Sequence, residues 1–277
     1  MTVPQFFSLI ASLVGTPALC FFIVVNGEAV EPLPQAHAHN DYLHVRPLLD
    51  ALDHGFNSVE ADIYLVDGNL LVAHTARELK AERTLEALYL EPLRQRTLAN
   101  SGAVHRNGEP FHLLIDIKSE AESTYAALDK LLAKFGDIVS AIREGRRESK
   151  AVNVVISGNR PTAKLEEQLV RYAGLDGRLN DLDSKASPEL MPLISDNWSV
   201  HFKWRGQGAF SDVERQRLDD AVAKAHSHGR KIRFWATPDN QPMWEALRAS
   251  GVDMINTDDL TGLEQFLRHA TASKPSN

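Results

Sequence analysis

Residues 55–64 read Gly-Phe-Asn-Ser-Val-Glu-Ala-Asp-Ile-Tyr, and this stretch decides the fold because its apolar and polar residues alternate. Alternate side chains of a β-strand share a face, so Glu60 and Asp62 are expected to point the same way. A short apolar run, residues 70–73, follows and leads directly to His74. The stretch therefore predicts two neighbouring strand ends that carry a carboxylate pair and a histidine.

Two carboxylates on one face of a strand repel each other unless a cation lies between them. Oxygen ligands of this kind suit Mg²⁺ or Ca²⁺, so Glu60 and Asp62 are candidate metal ligands. The alternative is a solvated edge strand whose polar face meets water, as alternating strands commonly do. The stretch alone leaves both interpretations open.

Length and composition indicate a globular protein with no affinity for nucleic acid. The 277 residues suit one large domain or two small ones, and 43% hydrophobic residues can bury a substantial core. The formal net charge of −7 argues against a general nucleic-acid binder, which needs a basic face. The single cysteine, Cys20, lies near the N-terminus, so the domain needs no disulfide.

The N-terminal segment is typical of an exported protein. Residues 6–25 are almost wholly apolar and carry no charge, and Gly27 and Ala29 are small residues placed for cleavage after Ala29. The run also has the length of about 20 residues that spans a bilayer, so a retained anchor is the alternative. We therefore divide the chain into a signal peptide or membrane anchor, residues 1–29, and one domain, residues 30–277. The protein is expected in the periplasm, outside the cell or anchored to the membrane.

Apolar strand runs alternate with helical patterns along the rest of the chain. Strands are predicted at residues 35–39, 55–64, 70–73, 111–118, 152–158, 192–196, 231–235 and 252–257, and helices at 47–54, 121–135, 162–173, 213–228, 243–249 and 260–269. The pattern is typical of a parallel α/β sheet, and its length suits a (β/α)₈ TIM barrel. A doubly wound open sheet is the alternative, but the glycine-rich phosphate loop that usually follows its first strand is absent from the sequence.

Active sites of such barrels lie at the C-terminal ends of the strands. Polar or aromatic residues fall at the predicted strand ends: His37, His39, Glu60, Asp62, His74, Asp116, Lys118, Ser157, Trp235 and Asn256. Asp116 and Lys118 are two positions apart, so they are expected to converge on a ligand rather than only to pair with each other. Trp235 is expected either to pack or to form a wall of the substrate site. Two further acids, Asp258 and Asp259, are expected to cap the last helix, and His112 is interpreted as structural.

An ordered set of motifs accompanies these residues. The motifs are His-x-His-Asn-Asp-Tyr at 37–42, Gly-x-x-Ser-Val-Glu-Ala-Asp at 55–62, Leu-Leu-Val-Ala-His at 70–74, Leu-Ile-Asp-Ile-Lys at 114–118 and Val-Asp-Met-Ile-Asn-Thr-Asp at 252–258. The set resembles the phosphatidylinositol phospholipase C-like phosphodiesterases. That superfamily includes glycerophosphodiester phosphodiesterases, sphingomyelinase D-type phospholipases and a branch of "altered inheritance of mitochondria" type proteins. The resemblance covers essentially the whole domain.

The resemblance implies a barrel with one divalent cation, Mg²⁺ or Ca²⁺, held by Glu60, Asp62 and Asp116. It also implies two catalytic histidines, His74 and one from the first strand. For that second histidine, His37 and His39 both remain candidates.

Three substrate-binding residues complete the implied site. Lys118 matches a lysine that binds phosphate, Asn40 follows His39 in the first motif, and Trp235 would face the headgroup. Glycerophosphodiesterases typically show His-Arg-Gly at the first strand, and this chain has no arginine there. The headgroup preference is therefore left open.

We interpret the protein as a metal-dependent phosphodiesterase acting on glycerophosphodiesters or (lyso)phospholipids. A divalent cation and Lys118 would neutralise the phosphate oxygens, and histidines would move the protons. The resemblance implies attack by a neighbouring hydroxyl of the substrate and a cyclic phosphate product. The expected partner is a small phosphodiester or a lipid headgroup, with membrane association through the substrate or the N-terminal segment.

Two other functions are considered. An amidohydrolase-like metal hydrolase also begins with a histidine pair such as His37 and His39, but it needs further histidines at the middle strands, and residues 152–158 and 192–196 offer none. A non-catalytic barrel that binds a phosphorylated ligand would have no need of the intact acids and histidines.

Overall fold

The computed structural model describes residues 30–106 and 108–272 of the chain. The predicted signal peptide or anchor, residues 1–29, lies outside the described residues, as do residues 273–277 of the predicted domain. Among the described helices, none is long and apolar enough to cross a membrane.

The described residues alternate between strands and helices. The strands are β1 (Leu33–Ala38), β2 (Phe56–Val66), β3 (Asn69–Val72), β4 (Phe111–Ile117), β5 (Ala141–Arg143), β6 (Arg146–Glu148), β7 (Val152–Gly158), β8 (Val170–Arg171), β9 (Ala173–Gly177), β10 (Leu193–Asn197), β11 (Lys231–Trp235) and β12 (Met254–Thr257). The α-helices are α1 (Leu49–Asp53), α2 (Glu91–Ala99), α3 (Ala121–Lys134), α4 (Thr162–Glu167), α5 (Trp198–His201), α6 (Asp212–Ser227), α7 (Gln241–Ala249) and α8 (Leu260–Ala272). Short 3₁₀ turns lie at Asp41–Leu43, Ala76–Glu78 and Leu179–Asp181, and a π-helical turn at Glu86–Leu90.

Eight parallel strands close into a barrel. Their order is β1-β12-β11-β10-β9-β7-β4-β2, and β2 also pairs with β1, which closes the ring. Strand β3 pairs antiparallel with β2 and forms a hairpin outside the ring. The prediction of a (β/α)₈ TIM barrel is confirmed, and the open-sheet alternative is wrong because the sheet has no free parallel edge.

Both faces of β2 are buried, which is usual for parallel strands covered by helices. Val59 and Ala61 pack in the main core on one face. On the other face, Glu60 is only 6% exposed and Asp62 only 1%. The interpretation of this stretch as a solvated edge strand is therefore wrong, and the carboxylate pair lies inside the barrel.

A small antiparallel sheet lies beside the barrel. Strands β5 and β6 form a hairpin, and β8 pairs with β5. This hairpin is inserted between α3 and β7 and carries Arg147. It places a basic side chain near the start of β7, where Arg147 donates to the side chain of Asn153.

The helix predicted over residues 162–173 is wrong in its second half. Helix α4 ends at Glu167, and the chain then enters β8 and β9. The sequence of β9 includes Gly174 and Gly177, where an added Cβ would approach Pro192 and Met191 to 2.5 Å. The strand needs glycine for close packing, so it lacks the apolar run that would reveal it.

Candidate active site

Three acids converge at the C-terminal end of the barrel. Glu60 and Asp62 lie on β2, and Asp116 lies opposite Asp62 on the neighbouring strand β4. One oxygen from each of the three lies within 4.8 Å of the other two. We call these residues the acid cluster.

Lys118 bridges two members of the acid cluster. Its Nζ lies 3.2 Å from Oδ2 of Asp62 and 3.0 Å from Oδ2 of Asp116. Asp116 and Lys118 were expected to converge on a ligand rather than only to pair with each other. They do pair, and Lys118 contacts Asp62 as well. These acids hold the pKa of Lys118 above its usual value although burial opposes this shift.

The other oxygens of the two aspartates are available to a cation. Oδ1 of Asp62 and Oδ1 of Asp116 are buried and have no hydrogen-bond partner among the described residues. Buried polar atoms are normally paired, so two unpaired carboxylate oxygens within the acid cluster fit a metal ion. Burial raises the pKa of both side chains, and the charge of Glu60 adds to this for Asp62.

Arg233 pairs with Glu60 inside the barrel and was not predicted as a functional residue. Its Nη1 lies 2.8 Å from Oε2 of Glu60 and 3.1 Å from Oδ1 of Asn256, and its side chain is buried. Although burial opposes ionisation, Arg233 holds the pKa of Glu60 well below its usual range. The available sequence signal was a charged residue in the middle of an otherwise buried strand.

His37 is closed off from the barrel mouth. It is fully buried, its Nδ1 lies 2.7 Å from the hydroxyl of Ser58, and its Nε2 accepts from Arg233. Burial and the charge of Arg233 lower the pKa of His37 to about 4. His37 is therefore neutral, with both ring nitrogens occupied.

His39 lies at the barrel mouth beside an acid from the other end of the chain. Its side chain is 23% exposed, and its Nδ1 lies 2.8 Å from Oδ1 of Asp258. Asn40 donates to the same carboxylate at 3.3 Å. The expectation that Asp258 caps the last helix is wrong: Asp259 accepts from the backbone N–H of Gly262 instead.

His74 follows the β2–β3 hairpin and is half-exposed, with 54% of its side chain accessible. Its Nδ1 lies 2.9 Å from the hydroxyl of Tyr42 and 3.3 Å from Oδ2 of Asp62. The Tyr42 hydroxyl also lies 2.7 Å from Oδ2 of Asp62 and 2.6 Å from Oδ1 of Asn40, and its one proton can go to either oxygen. Tyr42, which sequence reasoning placed only in a loop, thus links the acid cluster to His74.

Gly158 makes room for Asp116. It ends β7 with a φ of +67°, and a Cβ atom added there would overlap Oδ1 of Asp116. Glycine is therefore required both by its backbone conformation and by the position of the carboxylate. The sequence offered only the glycine at the end of a buried strand as a signal.

Trp235 lies at the rim of the barrel. It follows Arg233 by two positions on β11, so it shares the inward face, and it is only partly buried. Its neighbour on β10 is Asn197. The substrate-binding roles of Trp235, Asn40 and Lys118 remain predictions.

The sequence of the domain matches one known family. The model of the AIM6-like phosphodiesterase domain matches residues 27–173, which contain the acid cluster and the candidate histidines. The chain belongs to this family. The predicted resemblance to the superfamily is thereby confirmed.

Curated relatives carry the same family name. Altered inheritance of mitochondria protein 6 homolog from Arthroderma benhamiae is 26% identical over 271 residues, which cover 86% of this chain and 84% of that protein. Altered inheritance of mitochondria protein 6 from Lachancea thermotolerans is 31% identical over 280 residues, which cover 83% of this chain and 65% of that protein.

The fold also matches solved structures. A glycerophosphodiester phosphodiesterase from Parabacteroides distasonis superposes with a TM-score of 0.54 and covers 89% of this chain and 100% of its own. Its sequence identity is 17%. The likeness shows that this member of the AIM6-like family shares the fold of glycerophosphodiester phosphodiesterases.

Proposed function

We propose that the protein is a divalent-metal-dependent phosphodiesterase that acts on glycerophosphodiesters or lysophospholipids. One observation carries the proposal: the acid cluster converges at the barrel mouth with two unpaired buried carboxylate oxygens and with Lys118 beside it. Hard oxygen ligands favour Mg²⁺ or Ca²⁺ over Zn²⁺. A bound cation of this kind supplies positive charge to the phosphate oxygens.

The charges of the pocket suit a singly charged phosphodiester. The acid cluster contributes three carboxylates, and Lys118 and Arg233 are the two cations that pair with them. The residues alone therefore leave an excess of one negative charge, which disfavours an anionic substrate. With a divalent cation the excess becomes one positive charge, which matches a phosphodiester monoanion.

His39 is the better candidate for the proton acceptor. It is accessible at the mouth, whereas His37 is buried with both nitrogens occupied. If Nδ1–H of His39 donates to Asp258, the lone pair of Nε2 is free to accept the proton of an attacking hydroxyl. Asp258 orients the ring through this contact.

His74 is placed to donate a proton to the leaving alcohol. Its ring is held by Tyr42 and Asp62 through Nδ1, and half of the side chain faces solvent. Lys118 would hold a non-bridging phosphate oxygen while these protons move. A neighbouring hydroxyl is part of the substrate, so its attack on phosphorus avoids the entropy cost of binding a separate nucleophile. Effective molarities for such attack reach about 10⁵ M or more. We therefore favour the intramolecular route to a cyclic phosphate.

The amidohydrolase alternative finds no support in the histidine pair. His37 contacts Ser58 and Arg233, while His39 contacts Asp258. The two histidines thus face separate partners, and the metal-type cluster among the described residues consists of carboxylates alone.

A phosphodiester panel assayed with Mg²⁺ or Ca²⁺, and again after chelation, tests the proposal. We expect turnover of glycerophosphodiesters or lysophospholipids that stops on chelation, and loss of activity in Glu60→Gln and Asp62→Asn with the fold retained. Full turnover by either variant in chelator would refute the metal assignment, and ligand binding without any turnover would favour a non-catalytic barrel.

Phosphorus NMR distinguishes the cyclic product from direct hydrolysis. Equal cleavage of a matched substrate without the neighbouring hydroxyl would leave water as the nucleophile.

A further inference from the structure

A cavity lies at the N-terminal ends of the barrel strands, away from the strand ends that carry the acid cluster. Its volume is about 270 Å³. Its lining includes His112, Arg147, Asn153, Glu189, Lys231 and Met254. We call it the basic cavity.

Two of its cationic or titratable side chains come from inside the barrel. Lys231 begins β11, two positions before the inward-facing Arg233, and His112 lies two positions before Leu114 on β4. Leu114 and Met254 belong to a separate apolar cluster, and Met254 also lines the cavity. The strand period thus directs Lys231 and His112 into the barrel.

The third basic group comes from the β5–β6 hairpin. Arg147 is partly buried, and its Nη1 donates to Oδ1 of Asn153 at 3.2 Å. That amide is neutral, so it leaves the guanidinium charge uncompensated. Among the described residues that line the cavity, Glu189 is the one carboxylate, and the described ion pairs include neither Glu189 nor Lys231.

His112 reports the electrostatic character of the cavity. Burial and the charges of Lys231 and Arg147 together lower its pKa to about 3. The ring makes no hydrogen bond with another described residue, so its donor nitrogen is open to an acceptor that enters the cavity.

We propose that the basic cavity binds a small oxyanion, either a phosphate or a short carboxylic acid. An oxyanion would accept from Lys231, Arg147 and the neutral His112 together. It would also balance the one positive charge by which Lys231 and Arg147 exceed Glu189. The volume lies just below the roughly 300 Å³ at which drug-sized pockets begin, so the ligand is small. The proposal does not depend on the phosphodiesterase activity, because none of these residues belongs to the acid cluster or its partners.

Titration calorimetry with inorganic phosphate tests the proposal. The protein is first stripped of metal on a chelating resin, and the Lys118→Met variant serves as a second background that removes the cation at the acid cluster. We expect one saturable site in both backgrounds. Loss of a charged hydrogen-bond donor in Lys231→Met or Arg147→Met should weaken phosphate binding about tenfold or more. Lys203→Met, which removes an exposed lysine elsewhere, is the matched control and should bind as the parent does.

Histidine NMR supplies an independent readout. Phosphate should raise the pH at which the His112 ring titrates, because an adjacent anion favours the protonated form. Absence of saturable binding would overturn the proposal. Binding that survives both Lys231→Met and Arg147→Met but is lost in Lys118→Met would also overturn it and place the phosphate at the acid cluster. Retained binding with no change at His112 would contradict the assignment of the ligand to this cavity.

Discussion

The hydroxyl of Tyr42 lies 2.9 Å from Nδ1 of His74 and 2.7 Å from Oδ2 of Asp62. Tyr42 is 2% exposed, and burial raises the pKa of its phenol well above the usual value, so it keeps its proton. When that proton goes to Asp62, the phenol oxygen can accept from Nδ1–H of His74. The other ring nitrogen, Nε2, is then left for proton transfer.

Tyr42→Phe should therefore impair catalysis without unfolding the barrel. The loss of one hydrogen bond to a charged group corresponds to about 10–100-fold in rate. The loss should be larger for an alkyl leaving group than for nitrophenol, because nitrophenol departs without a proton. Steady-state kinetics on both substrates would measure this. Tyr64→Phe, which removes only a hydroxyl bonded to the backbone of His74, is the control, and an equal loss in both variants would contradict the role of Tyr42.

Gly158→Ala should weaken metal binding. Both the added methyl group and the φ of +67° oppose alanine, and the methyl would displace the Asp116 carboxylate. Gly68 has a φ of +80° and open space around it, so Gly68→Ala carries the backbone strain alone. Calorimetric titration with Mg²⁺ and Ca²⁺ should show weakened binding only in Gly158→Ala. Equal affinities in the two variants would mean that the Asp116 carboxylate does not need the space that Gly158 leaves for it.

The sequence was sufficient for the barrel because apolar strand runs and amphipathic helices repeat along the chain. Strand β9 was missed since its glycines serve close packing against Pro192 and Met191. Because these glycines are required by steric contacts, they give the strand no apolar periodicity. Packing against residues that are distant in sequence therefore determines that this segment forms a strand.

The acids of the site were predictable because they follow buried strands at fixed positions. The residues that pair with these side chains were harder to predict from the sequence. Asp258 meets His39 across 219 residues of chain, and Arg233 meets Glu60 across 173. Such pairs depend on barrel closure, which local patterns do not encode, so Asp258 was interpreted as a helix cap.

Asp258→Asn tests which first-strand histidine acts. His39→Ala should lower the rate about 10²–10⁴-fold if His39 is the acid–base group. Asp258→Asn should give a smaller loss, because the carboxylate no longer holds the ring through Nδ1. Asp259→Asn, at the helix cap, should change stability but not the rate. Unchanged rates in both His39→Ala and Asp258→Asn would indicate His37 instead.

Stability should depend on pH through Asp41. This side chain is buried, accepts from the backbone of Leu48 and the hydroxyl of Tyr89, and has a pKa raised by burial to about 7. Since the unfolded pKa is about 3.9, the folded state binds the proton more tightly. The stability contribution is full below about pH 4 and is lost as the pH rises through about 7. Urea unfolding should show that the free energy of unfolding differs less between pH 5 and pH 8 in Asp41→Asn than in the parent. An equal difference in the two proteins would contradict the raised pKa of Asp41.

Arg233→Met should destabilise the protein because it leaves Glu60 buried without its cation. Breaking a buried ion pair from one side costs about 3–5 kcal/mol. Arg143→Met breaks an exposed pair with Glu148 and should cost at most about 1 kcal/mol. Arg233→Lys keeps the charge, so its free energy of unfolding should lie between those of the parent and Arg233→Met. Urea unfolding measures all three variants.

Divalent cation should then stabilise Arg233→Met more than it stabilises the parent. The unpaired Glu60 adds attraction at the acid cluster, and a ligand stabilises the folded state according to its affinity. The difference in unfolding free energy with and without Mg²⁺ or Ca²⁺ is the decisive quantity. A larger metal-dependent difference in Arg233→Met than in the parent would place the cation beside Glu60, provided that Arg143→Met shows the same difference as the parent. If neither metal stabilises any variant, the acid cluster is held together by Lys118 and Arg233 alone, and the metal assignment fails.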